Sequence, residues 1–241
     1  MTAIVISSNE QTTLTDLALD AITAFTPEPH EVWLIVTAPS RTIRAKDWWG
    51  RGFKGLERRR CWPWYSSSKK YAGTALADAF TAAREAIGTS VDDIFLMHND
   101  ALPLRSGWLS YLQSKPGMVR GVKASERNGA AHSSGVLINA AWLAEQPPGV
   151  LWPTTDAGGT WWDVAEYPSA LTTAWTAESF CHRPFATPPR RRPGWWDSLG
   201  CDLSFDDRGE AFFCHRGGGS WLGQRDIEHF VKAAREALGL A

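Results

Sequence analysis

The sequence predicts an α/β fold of Rossmann-like type, with a mixed, mostly parallel sheet flanked by helices. Three observations predict it. Continuous apolar or β-branched runs, of the kind buried on both faces of a parallel sheet, recur at residues 3–7, 31–37 and 93–97. Segments with apolar residues at helical spacing follow the first run and precede the third. The third run delivers a polar tripeptide, His98-Asn99-Asp100, at its carboxyl end, where open α/β sheets place their ligands.

Residues 3–7 form a strand that ends in Ser7-Ser8-Asn9-Glu10, after which Leu14, Leu17, Ala18, Ala21, Ile22 and Phe25 mark one face of a helix. Pro27 and Pro29 stop that helix, and residues 31–37 form the second strand. Residues 38–70 then interrupt the alternation as a long insertion. Residues 73–88 resume as a helix on Leu76, Phe80, Ala83 and Ile87, with Gly88 suited to its C-terminal cap. The third strand follows at 93–97. Beyond Pro103 the pattern gives a helix around 108–113, short strands at 118–122 and 135–139, and a helix at 140–145. Pro147-Pro148 and Gly158-Gly159 bracket a loop into Trp161-Trp162-Asp163, and residues 166–175 suit a helix. Residues 183–200 are Pro-rich and basic, an extended surface segment. A strand at 211–214 and an amphipathic helix on Ile227, Phe230, Val231, Ala234 and Leu238 close the chain, which has no internal repeat.

The composition agrees. With 241 residues, 44% apolar and 21% charged, the chain can bury a full core as one domain, and disorder is excluded as its main state. No apolar stretch approaches the roughly 20 residues that span a bilayer, and the first residues lack a basic, apolar leader. Cys61, Cys181, Cys201 and Cys214 form no Cys-x-x-Cys pair, so neither a disulfide scaffold nor a zinc knot is indicated. A soluble protein with reduced thiols, in the cytoplasm, is the expectation.

Two features depart from this ordinary background. The first is tryptophan, at 14 residues, many in doublets or near-doublets: Trp48-Trp49, Trp62/Trp64, Trp161-Trp162 and Trp195-Trp196. Rings this dense in loops suit flat ligands such as bases or sugars, while core filling accounts for others. The second is charge: residues 41–70 carry a net +8, from Arg41, Arg44, Lys46, Arg51, Lys54, Arg58, Arg59, Arg60, Lys69 and Lys70 against Asp47 and Glu57. Basic side chains interleaved with aromatics hold phosphates while stacking bases; a solvated basic loop is the plainer reading.

The chemistry-bearing motifs narrow the field. A Gly-x-Gly-x-x-Gly after the first strand, a Walker phosphate loop and a Gly-x-Ser-x-Gly elbow are all missing. What remains is His98-Asn99-Asp100 and a late His215 ahead of Gly217–Gly219. A carboxylate plus an imidazole is a minimal holder for a divalent cation that also takes diphosphate oxygens, and imidazole tilts the choice from magnesium toward manganese. A metal-dependent hydrolase needs more clustered ligands than His98, Asp100 and His215 supply.

At these residues the sequence resembles the nucleotide-sugar glycosyltransferases of the GT-A fold, and within them the family 2-like group. The resemblance runs over nearly the whole chain: the Ile-Val-Ile-Ser-Ser-Asn-Glu opening, Gly73-x-Ala75, residues 92–100 with Pro103 and Gly107-Trp108-Leu109 behind them, residues 134–139, Trp162-Asp163 and Phe213-Cys214-His215. It implies that residues 1–115 bind the nucleotide sugar, with 38–70 inserted, and that 116–241 bind the acceptor. His98-Asn99-Asp100 stands at the family's Asp-x-Asp position, which makes Asp100 a metal ligand with His98 in place of the first Asp, and His215 a late ligand. Ser7, Ser8, Asn9, Glu10, Thr37, Gly73, His98 and Asn99 fall in the donor-binding region, and Gly217 and Gly218 close over the diphosphate with backbone N–H groups. The implied cofactors are Mn²⁺ or Mg²⁺ and a donor such as UDP-glucose. Asp163 is the candidate base for the acceptor hydroxyl and Glu166 the second candidate; a helix N-cap is the structural role open to Asp163. The family's acidic residue after the second strand is absent from Thr37-Ala38-Pro39-Ser40.

Envelope glycans, lipid carriers and proteins, the family's ordinary acceptors, do not call for a basic aromatic loop. DNA does, with phosphates on Arg51, Lys54, Arg58, Arg59, Arg60, Arg190, Arg191 and Arg192 and bases on Trp62, Trp64 and Trp195. The expectation is transfer to a hydroxymethylated base such as 5-hydroxymethylcytosine in DNA, as phage-encoded enzymes of this type perform. A glycan, lipid or protein acceptor is the second expectation, and a non-catalytic nucleic-acid-binding protein on a degenerate transferase scaffold is the alternative of another class.

Overall fold

The computed structural model describes residues 1–8, 12–36, 54–57, 84–88, 90–122, 135–146, 201–216 and 224–240. Its centre is β1 (Thr2–Ser8), in which Ile4, Val5 and Ile6 are fully buried on both faces. That double burial is why the run is continuously apolar rather than alternating. The helix α1 (Thr12–Phe25) turns Leu14, Leu17, Ala18, Ala21 and Ile22 inward at the spacing read from the sequence. It ends where the Thr26 N–H bonds the Ile22 carbonyl and Pro27 follows.

β2 (His30–Val36) and β4 (Asp93–His98) pair in parallel with β1 on either side. A short strand β3 (Lys54–Glu57) adds to β2, also in parallel. It corrects the reading of residues 38–70 as an uninterrupted insertion: the window contributes an edge strand, and Lys54 lies in it. Four residues with Gly55 in the middle carry too weak a pattern to signal a strand.

On the other side the sheet turns antiparallel, through β7 (Gly135–Asn139) against β4 and β6 (Val119–Gly121) against β7. The six-stranded order is β3-β2-β1-β4-β7-β6, the mixed, mostly parallel sheet that the sequence predicts. Gly135 is required where it sits: a Cβ there would lie 2.7 Å from Val122 Cγ2 and 3.1 Å from Phe95 Cζ. The helix α2 (Trp108–Gln113) follows Gly107, whose φ of 80° favours glycine. The helix α3 (Ala140–Glu145) is capped by Asn139, whose side chain accepts from the Trp142 N–H at 2.9 Å.

A second, three-stranded sheet has two strands that the sequence pattern does not signal. β5 (Ala101–Pro103) pairs antiparallel with β9 (Ala211–His215), and β9 pairs with β8 (Asp202–Phe205). β5 is three residues long and ends in proline, and β8 reads Asp-Leu-Ser-Phe, so neither shows a usable periodicity. The β8–β9 turn is tied by Asp206, whose Oδ1 accepts from the backbone N–H groups of Arg208 and Glu210, both at 2.9 Å, and whose Oδ2 meets Arg105.

The two sheets meet in an aromatic cluster. Phe95 of β4 packs edge-on against Trp108 of α2 with ring centroids 4.7 Å apart, and Phe213 of β9 lies 5.8 Å from Phe95 and 5.6 Å from Trp108. Trp108 is fully buried, and its indole N–H reaches Thr26 Oγ1 at 3.0 Å. It is a core tryptophan, whereas the four tryptophan pairs singled out in the sequence lie outside the described residues. The last helix, α4 (Gln224–Leu238), covers α1 with Ile227, Phe230 and Ala234.

At the end of the sheet away from the His98 turn, Arg120 Nη2 bonds Asp93 Oδ1 at 2.6 Å, both residues nearly inaccessible. Removing one partner leaves an uncompensated buried charge. The Arg120→Ala variant is expected to lose about 3–5 kcal/mol of unfolding free energy, measured by urea denaturation, with the far-ultraviolet spectrum of the folded state unchanged.

Candidate metal centre

Asn99 fixes the turn after β4. Its backbone N–H donates to the Ser7 carbonyl at 3.2 Å, and its Nδ2 donates to Thr15 Oγ1 at 3.1 Å, which in turn shares a hydrogen bond of 2.6 Å with Ser8 Oγ. The chain Ser8–Thr15–Asn99 is buried and joins the ends of β1 and β4 to the first turn of α1. With Asn99 held this way, His98 and Asp100 on either side of it converge.

The third member arrives from the other end of the sequence. In the β5–β9 pairing Ala101 stands opposite His215, and the Arg216 N–H bonds the Asp100 carbonyl at 2.9 Å. This register sets His215 Nε2 3.5 Å from Asp100 Oδ1, and the His98 and His215 rings stand 6.2 Å apart at 68°. One ligand atom from each of His98, Asp100 and His215 lies within 4.8 Å of the others. Asp100 is 5% and His215 8% exposed.

A carboxylate this buried is stable only with a positive charge or strong donors beside it. Two imidazoles and one carboxylate supply three donor atoms to a single point, carry one formal negative charge at most, and fit a divalent cation that keeps further positions for water or phosphate oxygens. The residues present therefore suit the metal that the sequence predicts, and His98, Asp100 and His215 are the side chains that would hold it.

Among the other site expectations, Ser7 stands in register with His98 at the carboxyl end of β1. Ser8 and Asn99, expected as donor contacts, are buried, and their side chains are engaged with Thr15 inside the protein; they anchor the turn. Lys54 belongs to β3. Asn9, Glu10, Thr37, Gly73, Gly217, Gly218, Asp163, Glu166, Arg51, Arg58, Arg59, Arg60, Trp62, Trp64, Arg190, Arg191, Arg192 and Trp195 lie outside the described residues.

Two residues of the site region do not emerge from the sequence. Thr15 is a polar residue on the buried face of α1, and that single break in an apolar stripe is its only signal. Arg216 follows His215 and has a buried Nε without a hydrogen-bond partner among the described residues; nothing in its sequence context separates it from other surface arginines.

No family model matches the chain, and no curated protein sequence matches it. Solved structures do. An active-site variant of LgtC is 12% identical with a TM-score of 0.55, over 97% of this chain and 95% of that one. The mannosyltransferase PcManGT from Pyrobaculum calidifontis, in complex with GDP-Man and Mn²⁺, is 13% identical with a TM-score of 0.44, over 63% of this chain and 48% of that one. A complex of the galactosyltransferase LgtC with donor and acceptor sugar analogues is 13% identical with a TM-score of 0.41, over 62% of each chain. The chain thus spans about half to three fifths of the lengths of the last two. The near-complete overlap with the LgtC variant identifies the fold as the GT-A α/β fold.

The Asp100→Ala variant is expected to bind Mn²⁺ at least about 10-fold more weakly than the wild type in calorimetric titration. Thr15→Val, which removes the Oγ1 that accepts from Asn99 Nδ2, is expected to weaken Mn²⁺ binding about 10-fold and to cost about 1–3 kcal/mol of stability.

Proposed function

We propose that the protein is a metal-dependent glycosyltransferase that moves a sugar from a nucleotide sugar, UDP-linked, to a hydroxyl acceptor. The observation that carries this reading is the convergence of His98, Asp100 and His215 at the carboxyl end of β4 within a GT-A frame. A divalent cation, when bound there, supplies charge neutralisation for the departing nucleoside diphosphate. This chain contributes the rest. Asp100 and His215 are held rigidly by the β5–β9 register, and His98 by the turn that Asn99 and Thr15 anchor. Arg216, whose backbone N–H bonds the Asp100 carbonyl, is the candidate cationic side chain for the charge that develops on the leaving group. Asp163, with Glu166 as the second candidate, takes the proton of the acceptor hydroxyl.

For the acceptor, the +8 window at 41–70 and the segment Arg190-Arg191-Arg192 with Trp195-Trp196 favour DNA carrying a hydroxymethylated pyrimidine. Cationic side chains hold phosphates, and tryptophans receive an unstacked base.

The test is nucleoside-diphosphate release from a panel of nucleotide sugars, UDP-glucose included, with Mn²⁺ and with DNA containing 5-hydroxymethylcytosine, unmodified DNA or no acceptor. Release that requires the modified DNA, with a matching mass gain on the nucleoside, is expected, and Asp100→Ala is expected to reduce it at least about 100-fold. Release indifferent to DNA keeps the transferase and moves the acceptor to a glycan, lipid or protein. Silence across the panel, with salt-sensitive DNA binding retained, overturns the transferase in favour of a nucleic-acid-binding protein.

A further inference from the structure

We infer that His98 makes this a nitrogen-rich metal centre, selective for later first-row ions such as Co²⁺ or Zn²⁺ over Mg²⁺, and that this one side chain sets the selectivity. The inference rests on the metal-binding part of the reading above and goes beyond it in naming which residue decides the cation.

The donor set is two imidazoles and one carboxylate drawn from His98, Asp100 and His215. Mg²⁺ is hard, demands oxygen ligands in near-ideal octahedral geometry and gives up water reluctantly. Imidazole suits the later divalent ions, whose affinity for nitrogen rises across the first transition row. A site that offers one carboxylate and two nitrogen ligands therefore penalises Mg²⁺ twice. It lacks carboxylate charge, and it asks the ion to exchange water for nitrogen. His215 alone would leave a balance open to either class of ion. With His98 as well, nitrogen outnumbers oxygen among the protein ligands.

Position and burial support a direct role for His98. It closes β4 in parallel register with Ser7 of β1, so its backbone is fixed by the sheet. Its side chain is only part-buried, while Asp100 and His215 are nearly inaccessible. His98 is thus the member of the trio with most exposure to solvent. Ligand atoms on one ion with bonds of about 2.0–2.2 Å lie roughly 3–4.4 Å apart, so a spread of up to 4.8 Å closes with small side-chain rotations.

The experiment uses the full chain and metal alone, with a second arm containing UDP. Calorimetric titration with Mn²⁺, Co²⁺ and Mg²⁺ is compared for the wild type, His98→Asp and His98→Asn, each checked for folding by its metal-free melting curve. The wild type is expected to favour Co²⁺ over Mg²⁺ by at least about 100-fold, consistent with its ligand set. His98→Asp is expected to shrink that ratio at least tenfold by tightening Mg²⁺, and His98→Asn to weaken Co²⁺ without tightening Mg²⁺. Pulsed electron paramagnetic resonance of the Mn²⁺-loaded protein adds a readout independent of turnover: nitrogen couplings from two imidazoles in the wild type, and from one in either variant.

An unchanged Co²⁺ to Mg²⁺ ratio in His98→Asp, or nitrogen couplings identical in wild type and variants, overturns the inference, as does the absence of metal binding in both arms. These outcomes are separable from failure of the proposed function. A nucleotide-sugar panel that turns over equally well with Mg²⁺ sinks the selectivity and leaves the transferase standing. Two-imidazole binding without turnover of any donor does the reverse.

Discussion

The antiparallel register of β5 against β9 decides whether His98, Asp100 and His215 meet at all. Ala101 stands opposite His215, and the hydrogen bond from the Arg216 N–H to the Asp100 carbonyl extends that pairing into the turn. A one-residue slip would carry His215 to the opposite face of the small sheet and dissolve the ligand cluster. Everything around it resists such a slip. Phe213, two residues earlier on β9, is wedged between Phe95 and Trp108, and Asp206 locks the β8–β9 turn through two backbone N–H groups and Arg105.

The large sheet has a complementary task. Its parallel strands β1 and β4 end together, with Ser7 beside His98, and the buried Ser8–Thr15–Asn99 chain ties both ends to α1. Buried polar groups of this kind hold a geometry rather than add much stability, because each hydrogen bond formed replaces one made with water. The small sheet therefore supplies His215 and the large sheet supplies His98, with Asp100 at the junction where the chain leaves the large sheet and enters the small one.

Much of this is legible in the sequence for a physical reason. β1 and β4 lie inside the sheet, and strands buried on both faces must be continuously apolar, so their runs stand out and the tripeptide at the end of β4 with them; β2 shows the same signal at Val32, Leu34 and Ile35. The amphipathic helices α1 and α4 are equally clear. What escapes are elements whose existence is set by partners rather than by their own pattern: β3, β5 and β8 are three or four residues long and form because a neighbouring strand offers a ladder. The same logic applies to the cluster. His98 and Asp100 are visible as neighbours, but only the family order links them to His215, since the pairing that joins them involves β5, a strand with no pattern of its own. Thr15 is hidden because a single buried hydroxyl on a helix face looks like any other.

The distance along the chain between Asp100 and His215 governs when the His98–Asp100–His215 cluster can form. No emerging or partly folded chain can assemble the ligand trio until β9 has been made and zipped onto β5, a non-local closure of the kind that forms late. An ion that prefers the finished cluster to the open chain then acts as a latch. Its binding free energy is added to the closed state alone, and it slows the release of the β8–β9 hairpin from the body of the fold. If the cluster holds an ion, resistance to local opening at that hairpin follows the metal supply, and starvation for the ion would loosen the same strand that carries His215.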